Sequence, residues 1–168
     1  MTAGLESLGA APAPSVCPSI ELIEARSAAR ESSINLGDEV RVHHAIAFAR
    51  AALESYANAA APSLRLQAFK NLTHVPLGVE SAALSARIGL QAATMPTVDA
   101  LHYLTSLYPA LLPESRRSAT GAFYTPCCLS TRLLDLASEA GVDWRTAKVL
   151  DPAAGGGAFL VQSALKMR

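Results

Sequence analysis

Residues 147–160 read Ala147-Lys148-Val149-Leu150-Asp151-Pro152-Ala153-Ala154-Gly155-Gly156-Gly157-Ala158-Phe159-Leu160. The run at 147–150 is short, apolar and β-like. Asp151-Pro152 and the glycines break it, and Ala158-Phe159-Leu160-Val161 starts a helical pattern, so the stretch predicts a strand, a glycine loop and a helix. Such a loop builds a nucleotide-type pocket. Glycine has no Cβ, so the backbone turns sharply and a ligand can lie against it, while the first N–H groups of the helix are free to donate. A glycine-rich turn also joins a strand to a helix for purely geometric reasons. Two ligand classes fail on the residues themselves. A phosphate loop needs Lys and a hydroxyl after its last glycine, where Ala158 and Phe159 stand. A dinucleotide fingerprint needs a third glycine at the position of Leu160.

Upstream lies Gly121-Ala122-Phe123-Tyr124-Thr125-Pro126. Thr125-Pro126 predicts a helix start, with a capping hydroxyl and a proline at the first helical position. Leu129, Leu133 and Leu136 would form its stripe, and Gly141 is placed to end it. Phe123 and Tyr124 read equally as core residues; with only four Phe and four Tyr in the chain, however, an adjacent pair beside a helix cap suits a binding wall better than chance placement.

The segment 151–160 resembles the S-adenosylmethionine motif of adenine-specific (N-6) DNA methyltransferases of restriction-modification systems, usually Asp-Pro-Ala-Cys-Gly-Ser-Gly-x-Phe-Leu. It departs at Ala154 for Cys and at Gly156 for Ser, both small residues. The segment 121–126 resembles the companion motif of that family, Gly-x-Phe/Tyr-Tyr-Thr-Pro, in the expected order. The resemblance covers residues 115–163. It implies that Asp151, Ala153, Gly155 and Gly157 wrap the methionine half of S-adenosylmethionine, and that Phe123, Tyr124 and Thr125 close its other side. The cofactor's chemistry agrees: its carboxylate suits the N–H groups and hydroxyl at the helix start near Thr125, and its ammonium suits Asp151. Each residue also has a purely structural reading, in which Thr125 and Pro126 only cap a helix and Asp151 only braces its turn.

Working further back, Thr97 would cap a helix with Leu101, Leu104, Leu107 and Leu111 on one side, kinked at Pro109 and ended by Pro113. Helices are also expected at 80–93, with Leu84, Ile88 and Ala92 on one face, and at 63–70. Another should run from Asp38 to Ala61, with Val42, Ile46, Ala49, Leu53 and Tyr56 as its stripe. A first helix begins after Ser19 and carries Ile20, Ile23 and Ala28. The link Glu114-Ser115-Arg116-Arg117-Ser118 reads as exposed. The expected organisation is a disordered tail at 1–18, a helical region at 19–112 and the truncated start of a methyltransferase domain at 113–168. The fold class is therefore mainly α: a helical N-terminal region followed by the first β-α piece of an incomplete Rossmann-like S-adenosylmethionine-dependent methyltransferase fold.

Composition sets the outer bounds. The 168 residues are 51% hydrophobic, 17% charged and 5% aromatic, with a net charge of +0. The excess is alanine and leucine, which favours closely packed helices and argues against an all-β sandwich. A pI near 6.9 supplies no basic field to attract DNA. No apolar run approaches the length of a membrane span, and Cys17 with the adjacent Cys127 and Cys128 has neither disulfide-scaffold nor zinc spacing, so a reduced cytoplasmic chain is expected. His43 and His44 are neighbours on a helix and do not share a face. Cys127 and Cys128 fall in a first helical turn, where the dipole can lower a thiol pKa; no partner His is identifiable, and structural thiols are the better reading. Arg116-Arg117 would touch phosphate in a completed enzyme or form a solvated surface.

The family's catalytic Asn/Asp/Ser-Pro-Pro-Tyr/Phe motif does not occur in these residues: Asn35, Asn58 and Asn71 do not precede proline. Transfer to an exocyclic adenine nitrogen requires a flipped base held by such a motif. The expectation is thus an N-terminal fragment, inactive alone, with DNA as partner of the completed enzyme and a second chain as a source of the missing parts. The alternative is a non-catalytic helical interaction module with a vestigial or partner-completed loop.

Overall fold

The computed structural model describes residues 20–60 and 76–168. The expected tail at 1–18 and the helix at 63–70 lie outside them. Among the described residues there are seven helices and no strand: α1 Ile20–Ser33, α2 Asp38–Ala60, α3 Val79–Ala92, α4 Thr97–Leu111, α5 Glu114–Thr120, α6 Cys127–Glu139 and α7 Ala158–Lys166. The chain is mainly helical, as its alanine-rich composition predicts.

The apolar core is drawn from α1 to α4 and ends at Leu112. Its middle is the α2–α3 contact, and small residues set how close that contact is. The fully buried positions of α2 are Ala45, Phe48 and Ala52, with Ala49 nearly so, while Val42, Leu53 and Tyr56 pack half-buried at the edge. The buried face is therefore turned from the expected Val42–Ile46 stripe toward the alanines, and it includes Phe48. Against it lies Gly89 of α3. A Cβ there would stand 2.3 Å from the Ala52 carbonyl oxygen and 2.6 Å from Ser55 Cβ, so only glycine permits this approach. The Ser55 hydroxyl then donates across the gap to the Ala86 carbonyl at 2.8 Å.

α4 supplies Leu104, Leu107 and Leu111 to the core, as its spacing predicts, together with Ala100 and Tyr103. The Tyr103 hydroxyl donates to the Leu22 carbonyl of α1 at 2.5 Å, and burial raises its pKa to about 12 against the opposing pull of Arg26. Arg41 donates through Nε to the Leu111 carbonyl at 2.7 Å, satisfying an acceptor that the end of α4 leaves free. Two expectations need correction here. Thr97 is the first helical residue rather than the cap, because Pro96, extended at ψ 138°, already turns the chain into α4. The charged link at 114–118 is the helix α5: Pro113, at φ −56° and ψ 145°, orients its entry, and Arg117 pairs with Glu114 one turn away. It has no buried residue.

α6 ends as expected at Gly141. The Gly141 N–H donates to the Ser138 carbonyl at 3.0 Å and the Val142 N–H to the Ala137 carbonyl at 3.1 Å, the paired bonds of a glycine-terminated helix. α6 and α7 pack through polar groups. Gln162 is 7% exposed. Its amide donates to Ser130 Oγ at 2.9 Å and to the Cys127 carbonyl at 3.2 Å, and accepts from Thr131 Oγ1 at 2.7 Å. The run at 147–150 carries no strand pairing, since a ladder needs a second strand to supply its hydrogen bonds. Leu150 is 87% exposed. None of the described helices is long and apolar enough to cross a membrane.

Candidate functional site

The two segments singled out in the sequence come together at Tyr124. Its side chain leaves the α5–α6 connection and lies on the turn that precedes α7. A Cβ built on Gly155 would sit 3.5 Å from Tyr124 Cε1, in ordinary contact. One built on Gly156 would stand 2.7 and 2.9 Å from Tyr124 Cδ2 and Cε2 and 3.0 Å from Thr105 Oγ1. The ring thus occupies the space that a side chain at 156 would need. Burial raises the Tyr124 pKa, with a smaller contribution from neighbouring Tyr108.

The turn is tight. The Gly157 N–H donates to the Ala154 carbonyl at 2.6 Å, and Gly155 and Gly157 both take left-handed backbone, at φ 51° and 73°. Asp151 Oδ1 accepts from the Ala153 N–H at 3.2 Å, so the carboxylate braces its own turn. α7 then begins with the Val161 N–H donating to the Gly157 carbonyl.

Tyr124 and Asp151, two of the seven residues proposed for cofactor contact, line different hollows among the described residues. Tyr124 closes a hollow of about 20 Å³ whose walls include Leu101, His102, Cys127 and Gly156. That space suits a water molecule and does not fit S-adenosylmethionine. Asp151 opens on a separate groove of about 440 Å³, shared with Trp144, Leu150, Phe159 and Ser163. This second volume lies in the range of small-molecule sites. Ser163 is buried beside it, and its hydroxyl has no hydrogen-bond partner among the described residues. Of the two hollows, only the groove has the volume of a small-molecule ligand; Asp151, Trp144 and Phe159 are among its lining residues, and the Lys166 ammonium lies over the Trp144 ring at 6.0 Å from its centroid.

Phe123 stands apart from both. It is 66% exposed, with the Arg117 guanidinium 5.7 Å from its ring centroid. Thr125 does not cap α6: Pro126, at φ −57° and ψ 142°, occupies the cap position, and no side chain bonds there. The thiol of Cys127 agrees with the structural reading, and no helix-start lowering of its pKa is seen. Burial raises its pKa, Asp99 and Cys128 add to the rise, and the hydrogen bonds of Thr131 and Gln162 oppose it, so it is held protonated as a structural group. On α2, His44 turns toward Phe48, with ring centroids 6.0 Å apart, and burial lowers its pKa, while His43 is exposed.

Local pattern did not single out Trp144, Ser163 or Gln162. The available signals were the uniqueness of Trp144 and a polar pair, Gln162-Ser163, interrupting an apolar helix. No protein-family model, curated protein or solved structure matches this chain.

Proposed function

We propose that the chain carries the cofactor-binding start of an S-adenosylmethionine-dependent, adenine-specific DNA methyltransferase of a restriction-modification system. The observation that carries this reading is the packing of the Tyr124 ring on Gly155 and Gly156. Two motifs that resemble one family in order are also joined in space, with one serving as the support of the other. In this reading the cofactor lies in the Asp151 groove, Asp151 binds its ammonium, Trp144 or Phe159 covers its base, and Tyr124 supports the loop from behind. The bound group supplies a methyl on a sulfonium. The residues of this chain bind and orient it, and the fold they begin is the Rossmann-like one, with 147–150 as its first strand.

The chain alone does not methylate DNA in this proposal, because no Asn-Pro-Pro-Tyr motif is present to hold a flipped adenine. DNA is the partner of the completed enzyme, and the compartment is the cytoplasm. Titration calorimetry with S-adenosylmethionine tests the site. Saturable binding that Asp151→Ala weakens about tenfold or more supports it, since a charge-assisted hydrogen bond is worth roughly 1.5–3 kcal/mol. No heat at millimolar ligand refutes it. Methyl incorporation into mixed-sequence DNA by the purified chain would refute the inactivity.

A second reading rests on the unpaired run at 147–150. It is a helical interaction module whose loop a separate chain completes by pairing with that segment and covering Leu150. Under this reading the cofactor binds only when the second chain is present.

A further inference from the structure

Residues of α2, of α4 with the residue that follows it, and of α5 line a hollow of about 320 Å³ that shares no residue with the Tyr124 hollow or the Asp151 groove. Glu39, Val42 and His43 come from α2, Tyr108 from α4, Leu112 from the extended residue just after it, and Arg116 and Thr120 from α5. The floor is apolar: Leu112 is buried, and Val42 and Tyr108 pack half-buried against the core. The rim carries both charges. Glu39 and Arg116 are exposed, and neither forms an ion pair with any described residue, including each other.

Neighbouring polar groups are already engaged. Asp38 accepts from the Ser115 hydroxyl, Arg41 donates to the Leu111 carbonyl, and Arg117 pairs with Glu114. What remains at the hollow is a carboxylate on α2, a guanidinium on α5 and the exposed imidazole of His43, above an apolar floor. A ligand complementary to that arrangement carries an ammonium, a carboxylate and an apolar group. The volume is at the lower end of small-molecule sites, below what a nucleotide or peptide needs.

We infer that this hollow binds an apolar α-amino acid as its zwitterion. The carboxylate takes the fork of Arg116, the ammonium meets Glu39, and the side chain lies on Tyr108 and Leu112. The inference stands independently of the cofactor reading, because none of these residues belongs to that site.

Titration calorimetry of the whole chain with L-leucine, L-methionine and L-phenylalanine tests it. At least one should saturate. Its N-acetyl form, lacking the ammonium, and its amide, lacking the carboxylate, should each bind about tenfold more weakly or worse. Arg116→Gln and Glu39→Gln should produce losses of the same size, while Arg87→Gln, an exposed arginine elsewhere, leaves binding unchanged. Both rim residues are exposed, so the variants keep the parent's melting curve. The inference is overturned if none of the three amino acids saturates by about 10 mM, if the blocked forms bind as well as the free one, or if Arg116→Gln binds like the parent.

Discussion

Replacing Gly156 by alanine sets two opposed effects against each other, and the structure decides between them. Gly156 is not among the glycines with positive φ, so alanine meets no backbone strain there. In an open site the change would stabilise the chain by about 0.4–1 kcal/mol, by restricting the unfolded state. Here the new Cβ meets Tyr124 Cδ2 at 2.7 Å and Cε2 at 2.9 Å, with Thr105 Oγ1 at 3.0 Å on another side. Carbon atoms prefer about 3.5–4.0 Å. The overlap falls on a rigid ring, so the ring must leave its seat, at the roughly 1–3 kcal/mol typical of overpacking. The net effect is destabilising by about 0.5–2 kcal/mol, a fall in Tm of about 1–8 °C for a chain of this size. The background variant Tyr124→Ala removes the obstacle, and there Gly156→Ala should become stabilising, with a coupling of about 1–3 kcal/mol across the cycle. Scanning calorimetry on the four proteins measures this. Spectrophotometric titration adds a second readout, because a displaced Tyr124 becomes hydrated and its raised pKa returns toward about 10. Zero coupling, or a Gly156→Ala protein more stable than the parent, refutes the packing of the two segments.

Gly89→Ala places a Cβ 2.3 Å from the Ala52 carbonyl oxygen, which is backbone and cannot swing away, so a loss above about 3 kcal/mol is expected in a urea melt. Gln162→Leu leaves Ser130 and Thr131 without their amide partner, and a cost of about 2–4 kcal/mol should appear, together with faster amide hydrogen exchange in α7 than in α3. Tyr103 has a folded pKa near 12 against about 10 unfolded, so the folded chain holds that proton more tightly. The stability this confers is complete below pH 10 and is lost as the pH rises toward 12, on the order of 2 kcal/mol in all. Chemical denaturation at pH 8 and pH 11.5 should show that loss in the parent, and a smaller one in Tyr103→Phe.

The helical region was legible because its determinants are local. Apolar residues recur at three and four positions, and prolines and Asp38 mark where α2 and α4 begin or end, so those bounds follow within a residue or two. The orientation of α2 was not legible in the same way. Larger Val42 and Ile46 dominate a hydrophobicity pattern, yet what α3 requires is a face shallow enough for Gly89, and Ala45, Ala49 and Ala52 provide it. The α5 helix was hidden because five consecutive charged or hydroxyl residues read as a solvated link, whereas a Glu114–Arg117 pair after Pro113 helps to hold two turns. At the site, each segment could be read separately. Their meeting at Tyr124, and the separation of Asp151 from that ring, depend on how α7 returns over α4 and α6, which no local spacing encodes.

That separation shows which residues can serve as tests of the cofactor. Three consecutive glycines suggest a ligand cradle, but the fold needs each of them without one. Gly155 and Gly157 hold left-handed backbone, and Gly156 makes room for a tyrosine ring. A glycine variant that loses binding would therefore also lose the loop, and its failure would say nothing about contact. Asp151 is different. Its single structural bond, to the Ala153 N–H, is one that asparagine can also accept, while asparagine cannot offer a charge to an ammonium in the groove. Asp151→Asn should melt within about 1 °C of the parent and still bind S-adenosylmethionine about tenfold more weakly or worse. Equal binding by the two proteins would remove Asp151 from the site, and with it the link between this loop and a methyl donor.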